Sequence, residues 1–175
     1  CIVGLMQLGI ALLLLITLPV WNVNQSVVQE NAKSVGLIDA LRIKGVPFLL
    51  IGFFAYCATE ATTMQWASTY FVEVKGIATD RAAGFAALFY IGITAGRFVS
   101  GIITDKLGDR KMILLGTAIL ILGILILCLP VKSYTVAFVA FLVMGVGCAP
   151  VYPCIIHSTP YNFGAANSGA IIGIQ

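Results

Sequence analysis

An acid and an indole set inside an apolar run offer the most chemistry in this sequence. Glu60 lies fourteen residues into the stretch 46–72. A charged side chain at the centre of a membrane-length helix costs roughly 2.5–3.5 kcal/mol to insert, so such a group faces a cavity or a partner. At helical spacing Tyr56, Glu60 and Thr63 share one face, and Thr59, Thr62 and Trp66 occupy the neighbouring one. Gln65 extends the polar surface to another side. Carboxylate, amide and hydroxyl groups beside aromatic rings suit a neutral, hydroxyl-rich small molecule. The alternative is a carboxyl held in the bundle for structure alone. Tyr90 and Tyr152 are placed to line the same cavity or to pack.

Further along, Arg97 sits inside a third apolar run, where its long side chain can reach toward the end of the helix or toward Asp105. Residues 105–111 then alternate acids and bases around a glycine: Asp105, Lys106, Gly108, Asp109, Arg110 and Lys111. This reads as a tight charged loop that gates or latches moving helices. Gly145, Gly147, Pro150 and Pro153 fall within nine residues of another apolar run. Each proline removes a backbone donor, so the spacing predicts a bend or hinge between 145 and 153. His157 reads as a lone interfacial histidine at the end of that run. No nucleophile–base pair, metal-ligand cluster or phosphate-cradling glycine loop is visible, so the residues predict neither an enzyme nor a bound metal or cofactor.

The elements that carry these residues are membrane-length. Sixty per cent of the 175 residues are hydrophobic, 10% are charged, and the mean hydropathy is +1.04; a soluble domain carries about 25% charge. Apolar runs at 2–21, 46–72, 82–104, 112–130 and 134–156 each exceed the roughly 18 residues expected of a transmembrane helix, and a sixth starts near Ala165 and is cut off at Gln175. The expected class is all-α, a polytopic transmembrane helix bundle. The chain starts and stops inside apolar runs, which reads as a fragment. The first run lacks a basic lead and is too long for a signal peptide's core. Cys1, Cys57, Cys128, Cys148 and Cys154 all fall in spans without a C-x-x-C pair, as buried free thiols. The small net charge of +3 argues against nucleic-acid binding.

Loop charges set an orientation. Lys33, Arg42 and Lys44 lie in 22–45 and Lys106, Arg110 and Lys111 in 105–111, against Lys75, Arg81 and Lys132 on the other side. The positive-inside rule puts the six in the cytoplasm, which leaves the Asn24-Gln25-Ser26 acceptor on the wrong side for glycosylation. The first and fourth spans are rich in Leu and Ile and predict lipid-facing helices. The third carries Gly92, Gly96, Ser100 and Thr104 every four residues, a stripe that admits a neighbouring backbone. Peripheral, cavity-lining and packing helices thus recur every three spans, as in transporters built from repeats.

The segment GITAGRFVSGIITDKLGDRK (92–111) resembles the G-x-L-x-D-[RK]-x-G-x-[RK]-[RK] loop of the major facilitator superfamily, with Ile103 for the Leu and Asp109 where a base is usual. Within it, YCATEATTMQWASTYF (56–71) and GVGCAPVYP (145–153) resemble the fucose–proton-symporter-like branch of sugar permeases. The resemblance implies that 1–21 is the last helix of a first half, 22–45 a central cytoplasmic loop, and 46–175 the second-half bundle, with the first half of the same transporter as its partner. It implies a secondary active transporter in the cell membrane, moving a sugar or similar small polar solute by alternating access. Proton coupling is left open, because in such symporters the proton-handling carboxylates belong to the first half. Under this reading Glu60, Trp66, Tyr56, Thr63, Gln65 and Tyr152 contact the solute, and Arg97, Asp105, Lys106, Gly108, Arg110 and Lys111 form the gate. The competing readings are a drug or organic-ion exporter and a non-transporting membrane receptor on the same scaffold.

Overall fold

The computed structural model describes residues 2–21, 35–131 and 133–175. Cys1, the 24–26 glycosylation acceptor, Lys33 and Lys132 lie outside the described residues. Every regular element among the described residues is a helix. In chain order these are α1 (Ile2–Trp21), α2 (Leu37–Arg42), α3 (Val46–Glu73), α4 (Thr79–Leu107), α5 (Asp109–Leu127), α6 (Tyr134–Cys148), α7 (Val151–Phe163) and α8 (Ala165–Ile174). The chain divides into two compact units, Cys1–Ser34 and Val35–Gln175. In the first unit the described element is α1, a 20-residue helix over the expected span. In the second, Val46–Glu73, Thr79–Leu107, Asp109–Leu127 and Tyr134–Phe163 are each long and apolar enough to cross a membrane. This is the expected polytopic transmembrane helix bundle.

Two expectations are corrected, and one connection gains a short helix. The charged loop 105–111 is not a loop: Asp105 and Lys106 complete α4, Asp109, Arg110 and Lys111 open α5, and Gly108 alone connects them at φ +77°. Glycine adopts that dihedral without a Cβ penalty. Lys106 in a last turn and Asp109 in a first turn each suit the helix dipole, which lets the charges extend the helices past the apolar spans. Next, the connection 22–45 contains α2, whose Ala40 packs with Val46 and with Ile171 of α8 in a small second core. Its apolar positions are too few to give a periodic signal. Finally, the fifth span does not end near His157. It runs on as α7 to Phe163 and stops at Gly164, φ +84°.

Glycines place α6 at the centre. A Cβ at Gly92 would stand 3.1 Å from the Gly145 Cα, and one at Gly96 would stand 3.1 Å from the Val146 Cα, so the α4 stripe lies against the α6 backbone as expected. The opposite side of α6 meets α5 as closely. A Cβ on Gly147 would come 2.8 Å from the Gly116 carbonyl oxygen, and one on Gly123 would come 3.1 Å from that of Ala140. Without a hydrophobic drive between helices in lipid, such backbone approach supplies the packing attraction. On α5 the buried residues Met112, Gly116, Leu120 and Gly123 form one narrow stripe, while Leu114, Leu115, Ile121, Leu122 and Leu125 are exposed. That agrees with a peripheral helix.

The far end of the bundle is fixed by rings. Phe71 of α3 packs on Phe85 of α4 and on Phe138 and Phe141 of α6, at centroid distances of 5.9, 5.7 and 4.9 Å. Lys75 Nζ donates to the Val131 carbonyl (2.8 Å), which ties the segment after α3 to the one after α5. At the other end Phe163 abuts Gly45, so the start of α3 and the finish of α7 are neighbours. Consecutive spans therefore run antiparallel, and Arg42, Lys44, Lys106, Arg110 and Lys111 gather at one end.

Candidate functional site

Glu60 is the fifteenth of the 28 residues of α3, which puts its carboxyl at the helix midpoint. It is partly exposed, and one turn earlier Tyr56 is buried beneath it. The Tyr56 hydroxyl donates to the backbone carbonyl of Cys148, at 3.3 Å. Thr59 and Thr63 share this side of the helix. Their hydroxyls donate to the carbonyls of Ala55 and Thr59, each at 2.8 Å, which leaves them only acceptor capacity for a solute. Gln65 and Trp66 are exposed on α3 one to two turns beyond, with Trp66 61% exposed. A ring of that size left open at mid-helix faces lipid or a cavity.

Tyr152 joins this region through aromatic packing. Phe53 lies between Tyr56 and Tyr152, with centroids 6.4 and 5.5 Å away. Tyr152 also lines a groove of about 550 Å³ between α4 and α7, together with Arg97, Thr104, Asp105, Asp109 and His157. The structure thus brings one expected solute residue together with two expected gate residues. Arg97 and Asp105 share the groove but form no ion pair. Two helical turns, about 12 Å of rise, separate them. Gly108, Arg110 and Lys111 lie around the start of α5 and line a separate groove of about 620 Å³ with Tyr161 and Leu114. Tyr90 is exposed on α4 beside Phe89.

Sequence reasoning missed one feature outright. His157 is not alone: its Nδ1 lies 2.8 Å from Asp109 Oδ2, the only ion pair among the described residues. The imidazole is 66% exposed and the aspartate 14%. The two residues are 48 positions apart. The available signal was Asp109 itself, an acid standing where the resembled loop carries a base. A reversed charge on one side of a contact calls for a reversed partner on the other.

α6 and α7 are divided within 145–153. Ala149 and Pro150 separate a 15-residue helix from a 13-residue one, yet both keep right-handed helical dihedrals. The Ala149 amide still donates to Gly145, and the Cys154 amide to Pro150. The prolines remove the donors that would have reached Val146 and Ala149, so the path is interrupted rather than unwound. The roles of Gly145 and Gly147 differ from the expectation. They are seats for the neighbouring helices, and a side chain on either would strike α4 or α5.

The model of the Major Facilitator Superfamily matches residues 1–175. The chain belongs to that superfamily. It is 28% identical over 109 residues to an uncharacterized MFS-type transporter of Yersinia pestis, 61% of this chain and 28% of that one. It is 26% identical over 88 residues to Bypass of stop codon protein 6 of Saccharomyces cerevisiae, 50% of this chain and 18% of that one. Against a protein of Arabidopsis thaliana named as a candidate glycerol-3-phosphate transporter it is 30% identical over 94 residues, 51% of this chain and 18% of the other. The chain therefore spans less than a third of the length of the curated relatives it matches. No solved structure matches it. As a superfamily member with four membrane-length spans in its second unit, it is a multi-pass membrane protein. The four free cysteines among the described residues, Cys57, Cys128, Cys148 and Cys154, are unpaired thiols.

Proposed function

We propose that this chain is part of a secondary active transporter that moves a sugar or a similar small hydroxylated solute by alternating access. In this reading 46–175 supplies second-half helices, 1–21 is the last helix of the first half and 22–45 connects the two. The end bearing Lys106, Arg110 and Lys111 faces the cytoplasm of a cell whose plasma membrane holds the protein. The branch nearest in character is that of the fucose–proton-symporter-like sugar permeases.

One observation carries the reading: a partly exposed carboxyl at the middle of an apolar 28-residue helix, with Trp66 open on the same helix. Superfamily membership supplies the transport, and the polar and aromatic groups supply the solute class. Glu60 and Gln65 hydrogen-bond hydroxyls, Trp66 and Tyr152 offer ring faces, and Tyr56 and Thr63 shape the wall. The name of the Arabidopsis relative also points to a small polar solute bearing a free hydroxyl.

Binding of a panel of sugars and polyols to the full-length protein tests the site. Glu60→Gln and Trp66→Ala should each weaken the preferred ligand about tenfold or more, since an unpaired polar contact or a lost aromatic face is worth 1–3 kcal/mol. Unchanged affinity in both variants would move the site elsewhere. Solute flux into proteoliposomes separates a transporter from a receptor on the same scaffold, because only the transporter has a through-path.

A further inference from the structure

Arg97 is the nineteenth of the 29 residues of α4 and lies inside a helix of membrane length. A guanidinium does not give up its charge in a protein, so within a span it faces a partner or a solvated cavity. The structure supplies the cavity. Arg97 lines the groove of about 550 Å³ between α4 and α7, is exposed, and its side chain makes no hydrogen bond or ion pair among the described residues.

The groove is sorted by chemistry along its length. Arg97, Ser100, Gly101, Thr104 and Asp105 recur at three- and four-residue spacing, so one face of α4 forms a wall. A Cβ at Gly101 would meet nothing within 4 Å, which leaves that wall open between Arg97 and Asp105. The Ser100 and Thr104 hydroxyls donate to the Arg97 and Ser100 carbonyls, at 3.1 and 2.6 Å, and keep only acceptor capacity. Across the groove stands Tyr152, whose hydroxyl has no hydrogen bond among the described residues. Ten residues of α4 follow Arg97 and eleven of α7 follow Tyr152, and both helices run toward the basic end, so the two stand at one level. A free guanidinium fork beside a free phenol suits a carboxylate or a phosphate, whose oxygens accept two parallel N–H bonds and a third from the hydroxyl. The acids of the groove stand at its other end. Asp105 is about 12 Å along α4 from Arg97, beyond the Debye length of about 8 Å in physiological salt. Asp109 is engaged by His157 at 2.8 Å.

We propose that Arg97, with Tyr152, binds an anionic group on the transported solute, which makes the substrate class a hydroxylated carboxylate or phosphate ester. The proposal rests on the reading of this chain as part of a transporter of small hydroxylated solutes. Ring contacts of 5.5 and 6.4 Å lead from Tyr152 through Phe53 to Tyr56, one turn before Glu60. The groove and the Glu60 region are thus neighbours. A solute that turns its hydroxyls to Glu60 and its anion to Arg97 keeps like charges apart.

The test is binding, to the full-length protein, of matched compounds that differ by one anionic group: glucose against glucuronate and glucose 6-phosphate, and glycerol against glycerate and glycerol 3-phosphate. Wild type should prefer an anionic member of a set about ten- to a hundredfold, the range of hydrogen bonds to a charged group. Arg97→Gln should abolish that preference. Arg97→Lys, which keeps the charge and loses the fork, should retain part of it. The carboxylate and phosphate arms tell which anion fits. A gate or packing role for Arg97 would move the affinities of neutral and anionic members together and keep the preference of wild type in Arg97→Gln. That result would overturn the proposal, and so would a wild-type preference for the neutral members. Glu60→Gln separates the two readings. If it weakens every member while Arg97→Gln keeps the preference, the solute site stands and the anion subsite is wrong. If Arg97→Gln abolishes the preference while Glu60→Gln alters no affinity, the anion subsite stands and the hydroxyls have been misplaced. Binding of no member to wild type would overturn both.

Discussion

His157 and Asp109 show how little a close ion pair promises by itself. The contact is short, but the imidazole is mostly exposed, and the second carboxylate oxygen of Asp109 is buried without a hydrogen bond. Exposed pairs typically contribute 0.2–1 kcal/mol, and an unpaired buried oxygen works against even that. A double-mutant cycle with His157→Ala and Asp109→Asn, read by thermal unfolding in detergent, should give a coupling of about 0.2–1 kcal/mol. A coupling of several kcal/mol would make the pair a structural keystone instead. What the pair does offer is a removable tie between the start of α5 and α7. Glu60 and Tyr56 are a contrasting case. The cost of burying a carboxyl marked Glu60 from the sequence alone, but nothing local marked Tyr56 as the side chain that crosses to α6, since its partner is a backbone carbonyl 92 positions away.

Among the helices, α6 is clasped from two sides. Glycines let α4 and α5 approach the α6 backbone from opposite sides. Gly145→Ala should therefore destabilise the protein by about 1–3 kcal/mol, as overpacking does. Gly84→Ala, where a Cβ meets nothing within 4 Å, should be neutral or stabilising by up to about 1 kcal/mol through helix propensity. Unfolding midpoints in one detergent compare the two. Because Gly145 is a contact site, stiffening of the hinge has to be tested at the proline alone. Pro150→Ala restores a donor for the Val146 carbonyl, and proteoliposome transport should slow several-fold with solute affinity little changed. Normal rates would reduce the break to a passive kink. Span existence and the α4 stripe were legible because apolar length and four-residue spacing are local properties. The α2 helix and the true ends of α4, α5 and α7 were not. Charged residues that cap and extend a helix beyond the bilayer look, in a hydropathy reading, like loop.

At the scale of the molecule, antiparallel spans collect the bases at one end and the aromatic cluster at the other. The aromatic end joins α3, α4 and α6 through several ring contacts, each worth about 0.5–1.5 kcal/mol beyond its burial. At the basic end Asp105 is exposed at the finish of α4, and its carboxylate has no ion-pair partner among the described residues. In the latch reading that partner is a helix N-terminus of the other half. Asp105→Asn should then shift the ratio of inward- to outward-open forms several-fold and leave the affinity of each form unchanged. Accessibility labelling from both sides of the membrane reads the ratio, and identical populations would leave Asp105 as a topology signal only.

The single-residue joint at Gly108 sets a mechanical limit on whatever this bundle does. A longer connection would absorb a tilt or roll of α4 as slack, but a lone residue has two soft dihedrals with which to do so. Displacement of Asp105 at one end of the joint is thus transmitted to Asp109, four residues on, with almost no lost motion. That residue touches α7 through His157, the removable tie. A pull on α4 becomes a tug on the second half of the broken span. Lengthening the joint by two glycines after Gly108 would decouple the two, with every contact inside the bundle left in place.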